Sequence, residues 1–223
     1  MNLLQLILSL NGDRRVLFVF AAGIVTFSTG FSAHGQGTFQ NLDFEAAQII
    51  PILPVPFPQN LVATSNALPG WSASEPIIPY NTISLGAAAI SIHDQDDVYH
   101  VFEGKYSVLL QQSFNGLVSP SLWQVGAIPE GSKSLRYLGG VSSVTFDGHP
   151  LEFVSLGPSH GTYLLGADIS EFAGQAGELR FSGDGWLDLI GFSPEPIPEP
   201  SPAALHLLVG GFAFLRLRVR QKA

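Results

Sequence analysis

Ser143-Val144-Thr145-Phe146-Asp147-Gly148-His149-Pro150-Leu151-Glu152-Phe153 decides the fold class of this chain. Apolar and polar residues alternate through Ser143-Val144-Thr145-Phe146, the period of a half-buried strand. Asp147-Gly148 then supplies the two residues that most readily adopt positive φ, and apolar residues resume at Leu151 and Phe153. Alternation, Asp-Gly, alternation is the signature of a β-hairpin. The same grammar extends outward in both directions. Short apolar segments recur at Phe39-Phe44, Thr82-Ile92, Val98-Phe102, Tyr106-Gln111, Leu122-Val125 and Ser134-Leu138, and again at Leu151-Ser155, Thr162-Ala167, Glu178-Phe181 and Trp186-Phe192. Turn formers separate them, among them Pro69-Gly70, Asn115-Gly116, Gly139-Gly140 and Gly183-Asp184-Gly185. Many short strands with turns every ~10 residues predict an all-β, antiparallel β-sandwich. One helical turn is expected at Asp168-Gly174, capped by Asp168 or Ser170 and stopped by Gly174. Pro51 to Pro58 reads as an extended connection.

The two ends of the chain read differently. Arg14 and Arg15 precede an apolar run, Val16 to Phe27, and small residues surround Ala33-His34-Gly35. This is the pattern of a signal peptide over residues 1–35, cut near Gly35-Gln36. A sandwich domain at 36–193 follows, then a proline-rich linker at 194–202, read as a semi-rigid stalk. Residues 203–223 form a short hydrophobic helix with a basic end. Its apolar part, Ala203 to Leu215, is thirteen residues long. It spans ~20 Å as a helix, short against a ~30 Å hydrocarbon core. Arg216, Arg218, Arg220 and Lys222 place the basic end on the cytoplasmic side of a membrane that the segment enters transiently or permanently.

Charge divides along the same boundaries. Between residues 36 and 195 stand only four basic residues, Lys105, Lys133, Arg136 and Arg180, against sixteen acids, a formal charge of −12. So acidic a domain repels nucleic acid. The chain has no cysteine. An exported domain without disulfides relies on its core or on a metal.

Pro198-Glu199-Pro200, the apolar run and the basic end together resemble the PEP-CTERM sorting signal. That resemblance implies Pro198, Glu199 and Pro200 as recognition residues, signal peptidase and an exosortase-type processing enzyme as partners, and a place in the cell envelope, on the cell surface or outside the cell. The domain resembles the galactose-binding-like jelly-roll carbohydrate-binding modules. Asn41-Leu42-Asp43-Phe44-Glu45 with Leu68-Pro69-Gly70-Trp71 is similar to their opening, Glu103-Gly104-Lys105-Tyr106-Ser107 to their central strand, and Trp186-Leu187-Asp188-Leu189-Ile190 to their closing strand.

Three groups are candidate sites. The jelly-roll resemblance implies a structural calcium held by Asp43, Glu45 and Asp188. Carboxylates and carbonyls are the hard ligands calcium takes, and the alternative is that these acids cap or pair at strand ends. His93-Asp94-Gln95-Asp96-Asp97, with His100 and Glu103, is an acidic cluster. It lacks the glycine and closing glutamate of an EF-hand and the spacing of a zinc site, and reads as a solvated loop. Trp71, Trp123, Trp186, Tyr80, Tyr99 and Tyr106 are candidate stacking surfaces for sugar rings, Trp71 foremost because it follows a Pro-Gly turn. No Gly-x-Ser-x-Gly elbow and no phosphate-binding loop are present, and Ser159-His160 has no visible orienting acid. The absence of a catalytic motif points to a non-enzymatic role, and the PEP-CTERM resemblance implies an exported protein associated with exopolysaccharide. A carbohydrate-binding module and a surface hydrolase using a carboxylate pair are the alternatives.

Overall fold

The computed structural model describes residues 38–52, 60–83, 86–96 and 101–198, all within one of the two units into which the chain divides, Gly35–Ala223. The expected leader, the triplet from Glu199 onward and the apolar tail lie outside the described residues. The strands are β1 (Asn60–Ala63), β2 (Ser72–Ala73), β3 (Ile77–Tyr80), β4 (Ala89–Asp94), β5 (Tyr106–Gln111), β6 (Ser121–Ala127), β7 (Ser134–Gly139), β8 (Ser143–Phe146), β9 (His149–Pro150), β10 (Val154–Ser159), β11 (Thr162–Asp168), β12 (Ala176–Ser182) and β13 (Gly185–Ser193). A one-turn helix, α1 (Thr64–Ala67), joins β1 to β2.

These strands form the all-β sandwich. A large sheet runs β1-β3-β4-β5-β13-β7-β11-β10, and a small sheet runs β2-β6-β12-β8-β9. Pairing is antiparallel except between β3 and β4, which run parallel and meet at Tyr80 and Ile92, so the large sheet is mixed. Core side chains come from both layers. Tyr137 of β7 meets Phe181 of β12 edge-on, with ring centroids 5.7 Å apart.

The Asp-Gly hairpin forms. Phe146 pairs with His149 and Thr145 with Pro150. Asp147 and Gly148 have φ of 47° and 81°, the mirror-image turn that matches strand twist. The return strand is shorter than expected. Pro150 has no N–H to continue a ladder and sits on the edge strand, where proline is tolerated. Leu151 and Phe153 then leave the sheet and pack on the core, Phe153 with its ring 5.0 Å from that of Tyr137. The chain crosses to the large sheet and resumes as β10.

The opening segment departs from expectation. Phe39-Phe44 is not a strand: Thr38 makes one bridge to Ala127, and Asn41 and Phe44 adopt φ of 48° and 61°. Asn41 organises this loop. Its amide donates to the Pro69 carbonyl (3.0 Å), and its side-chain oxygen accepts from the Ala46 N–H (2.9 Å). Asparagine tolerates the left-handed region because its side chain replaces missing backbone bonds. Val101-Phe102 is likewise not a strand, and residues 98–100 lie outside the described residues. The predicted helical turn is a 3-10 turn, Ser170–Phe172. Asp168 accepts from the Ser170 N–H (2.9 Å), and Gly174 ends it at φ 76°.

Candidate functional site

The turn between residues 103 and 107 is gripped from two sides. Glu45, delivered by the left-handed Phe44, accepts from the N–H groups of Lys105 (2.7 Å) and Tyr106 (3.0 Å). Gly104, at φ 62°, lies against that carboxylate, where a Cβ would overlap it. Asp188 grips the other side. One oxygen accepts from the Glu103 N–H (3.1 Å) and the Ser107 hydroxyl (2.7 Å), and the other from the Leu189 N–H (2.7 Å). An irregularity in β13 between Asp188 and Gly191 places Leu189 at φ 44° and directs the Ile190 N–H to the Leu42 carbonyl (2.9 Å). Bulges re-aim side chains in this way. Burial pushes the Asp188 carboxyl up to about 6, against the lowering effect of its hydrogen bonds from Ser107, Glu103 and Leu189.

Beside this turn an open cleft of about 470 Å³ is lined by Glu45, Asp94, Gln95, Asp96, Gly104 and Lys105. Asp94 ends β4 and is heavily bonded. It accepts from the Tyr80 hydroxyl, from the Asn81 amide (2.7 Å) and from the Asp96 N–H (3.0 Å). Burial works against ionisation there, yet the bonds from Tyr80 and Asn81 outweigh it and hold the carboxyl below its ordinary range. Gln95 donates to the Gly104 carbonyl (2.5 Å), and the Lys105 ammonium sits 4.8 Å from the centre of the Tyr106 ring. The cleft thus offers carboxylate acceptors, one amide and one ammonium. That set suits a polyhydroxylated ligand.

Glu45 and Asp188 share one turn, as the jelly-roll resemblance places them, but their oxygens face N–H and O–H donors. Asp43 is exposed and accepts the Glu45 N–H (3.3 Å). Among the described residues, no group of three His, Asp or Glu side chains stands close enough to hold a metal ion. Glu45 and Asp188 thus meet at one turn, each accepting from N–H groups there, and Asp43 is not grouped with them.

The acidic cluster separates. His93 is fully buried, with its Nε2 2.7 Å from the Ser91 hydroxyl and its ring 5.0 Å from that of Trp186. Asp94 and Asp96 line the cleft, Glu103 contributes its N–H to Asp188, and Asp97 and His100 lie outside the described residues. The cluster is therefore not one solvated loop: β4, buried at every position, carries His93 and Asp94 into the fold.

The aromatic candidates also divide. Trp71 is 6% exposed. Its ring packs against Phe44 and Phe181, and its indole N–H donates to the Asn41 carbonyl (2.9 Å). This corrects the expectation of an exposed Trp71: it is a core residue. The Pro69-Gly70 turn directs it inward, where Asn41 satisfies its donor. Tyr106 is buried as well, and Trp186 packs against His93 and Phe102. Trp123 is half-buried on the small sheet, with the Arg180 guanidinium 4.3 Å from its ring centre. Tyr80 bonds Asp94, and Tyr99 lies outside the described residues.

Ser91 and His93 are shut from solvent. Ser159 and His160, 2.8 Å apart, sit at the exposed β10–β11 turn with no acid bonded to the imidazole. At the far end of β5, Phe114 and Leu117 are 91% and 81% exposed on a loop held by bonds from Ser113, Asn115 and Gln112.

The linker is not a free stalk where it is described. The Glu195 carbonyl accepts from the Ser134 hydroxyl (2.7 Å), and the Arg136 guanidinium reaches the Glu195 carboxylate (3.4 Å). No protein-family model, curated protein or solved structure matches this chain. Among the described residues no helix is long and apolar enough to cross a membrane. Sequence reasoning missed Lys105, Asn81 and Arg136 as site or contact residues. Gly104, a turn signal inside Glu103-Gly104-Lys105, was the available clue to the first of these.

Proposed function

We propose that this is an exported, non-enzymatic protein of the cell surface or extracellular matrix, sorted by a PEP-CTERM signal and associated with exopolysaccharide. The observation that carries this reading is the order of three unlike segments after β13: Pro198-Glu199-Pro200, the apolar Ala203 to Leu215, and a basic end. Six of the ten basic residues lie outside the acidic domain, four of them in that end. A tail used only for sorting has no need to match the bilayer thickness, in keeping with a largely apolar run of thirteen residues. The partners in this reading are signal peptidase, an exosortase-type enzyme and exopolysaccharide. Mass spectrometry of the exported protein tests it. A mature C-terminus between Pro198 and Ser201 is expected, and an intact Lys222-Ala223 end on all exported protein rejects processing.

A second reading is carbohydrate binding, which we propose at Asp96, Gln95 and Lys105 of the cleft because Trp71 is buried. Sugar hydroxyls bond well to paired carboxylate, amide and ammonium groups. Glycan-array binding that weakens in Asp96→Asn and Lys105→Ala supports it, and binding to no glycan removes it. Release of reducing ends from a bound polysaccharide would instead favour the surface hydrolase.

A further inference from the structure

The last described residues are held on the large sheet by contacts that read both their backbone and their side chains. After β13 ends at Ser193, the Glu195 N–H donates to the Ser193 hydroxyl (3.1 Å). The Glu195 carbonyl accepts twice, from the buried Ser134 hydroxyl (2.7 Å) and from an Arg136 nitrogen (3.3 Å). Another Arg136 nitrogen lies 3.4 Å from the Glu195 carboxylate, and its Nε donates to the Ser134 oxygen (3.0 Å). Arg136 thus binds side chain, backbone and its own neighbour with one planar fork. Two residues further on, Ile197 lies over Gly166 of β11. A Cβ at Gly166 would stand 2.6 Å from the Ile197 methyl. Gly166 is not at positive φ, so close approach rather than backbone geometry explains the glycine.

Only Pro198 separates Ile197 from Glu199. An enzyme that cuts near the triplet must take extended chain on both sides of the bond, and that chain includes residues the sheet already holds. We propose that Ser134, Arg136 and Gly166 form a seat for Glu195–Ile197, and that this seat limits the rate of processing at Pro198–Pro200. Arg136 is then a positioning residue for that reaction. The inference rests on the sorting reading above. Processing is slowed by the fraction of chains seated, because only unseated chains engage the enzyme.

Two measurements on the full chain test this. First, purified protein is exposed to a proline-specific endopeptidase, and cleavage after Pro196 and Pro198 is timed. Glu195→Ala leaves the sheet intact and removes the carboxylate, while Gly166→Ala pushes on Ile197. Cleavage should accelerate in both, by about two- to fivefold for the loss of one solvent-exposed ion pair. Arg136→Lys should fall between wild type and Arg136→Ala. Equal rates in wild type, Glu195→Ala and Gly166→Ala overturn the seat. Second, the same variants are pulse-labelled in the exporting cell, and mature C-termini are counted over time. Faster maturation supports the proposal. Faster endopeptidase cleavage with unchanged maturation overturns the rate-limiting role. A wild-type tail that never matures overturns the sorting reading, and the endopeptidase rates distinguish that failure from failure of the seat.

Discussion

The two sheets bury their strands in different ways. In the small sheet, β6 and β12 alternate: Leu122, Gln124 and Gly126 point inward between more exposed neighbours, as do Leu179 and Phe181. In the large sheet, β4 is buried at every position, as is β5 up to Leu110. Its second covered face holds polar groups, Ser91, His93, Ser107 and Asp188, each fully buried. One sheet is stabilised by apolar packing on a single face. The other adds a hydrogen-bonded polar layer. That layer ties β4, β5 and β13 to the turn that borders the cleft. Buried polar layers raise the stakes of each group, since an unpaired donor costs far more than a paired one returns.

Substitutions in each sheet test this contrast. Phe181→Ala, in the apolar layer, should cost about 3–5 kcal/mol, read from the urea midpoint. A cost below about 1 kcal/mol would place the stabilising core elsewhere. Asp188→Asn should cost about 2–3 kcal/mol, because an amide turns a donor toward the N–H or O–H groups that the carboxylate accepts. A neutral result would show the polar layer to be dispensable.

The pH dependence of the same residue comes next. In the unfolded chain an aspartate titrates near ~3.9. In the fold Asp188 is raised to about 6, so the native state holds its proton more tightly. Its contribution to stability is full below ~4 and is lost as pH rises through about 6. Urea midpoints measured from pH 4 to 7 should therefore show the wild-type advantage over Asp188→Asn shrinking with pH. An advantage that grows would reverse the assignment. Asp94, held below its ordinary range, has the opposite sign and loses its contribution as pH falls.

The smallest effect belongs on the solvated face of the small sheet. Arg180 bonds Glu178 at 2.7 Å, with both side chains about one-third exposed. Glu178→Gln should cost under about 1 kcal/mol, and the cost should fall with added salt. A cost matching Asp188→Asn would erase the distinction between the layers.

The strands that alternate or carry clear turns were legible. Ser143-Phe146 and Tyr106-Gln111 match β8 and β5 to the residue, and the Asp147-Gly148 turn formed. Short elements were not. β2 and β9 have two residues each, too few for any period to register, and β3 contains Pro79. The opening segment misled because Phe39 and Phe44 are buried by a loop that Asn41 organises. Apolar content reports burial, not conformation.

The sandwich, its principal turns, the acidic charge of the domain and the segmented character of the tail can be read from the residues alone. These depend on local period, on residues that permit positive φ and on composition. Only the tertiary structure decided that Trp71 belongs to the core, that Glu45 and Asp188 grip one turn, that Asp94 and Asp96 face a cleft while His93 is buried, and that Glu195 is held by Arg136. Each of these joins residues distant in sequence. Their partners are chosen by which strands become neighbours, and strand order across a sheet is a global outcome of packing that no local pattern encodes.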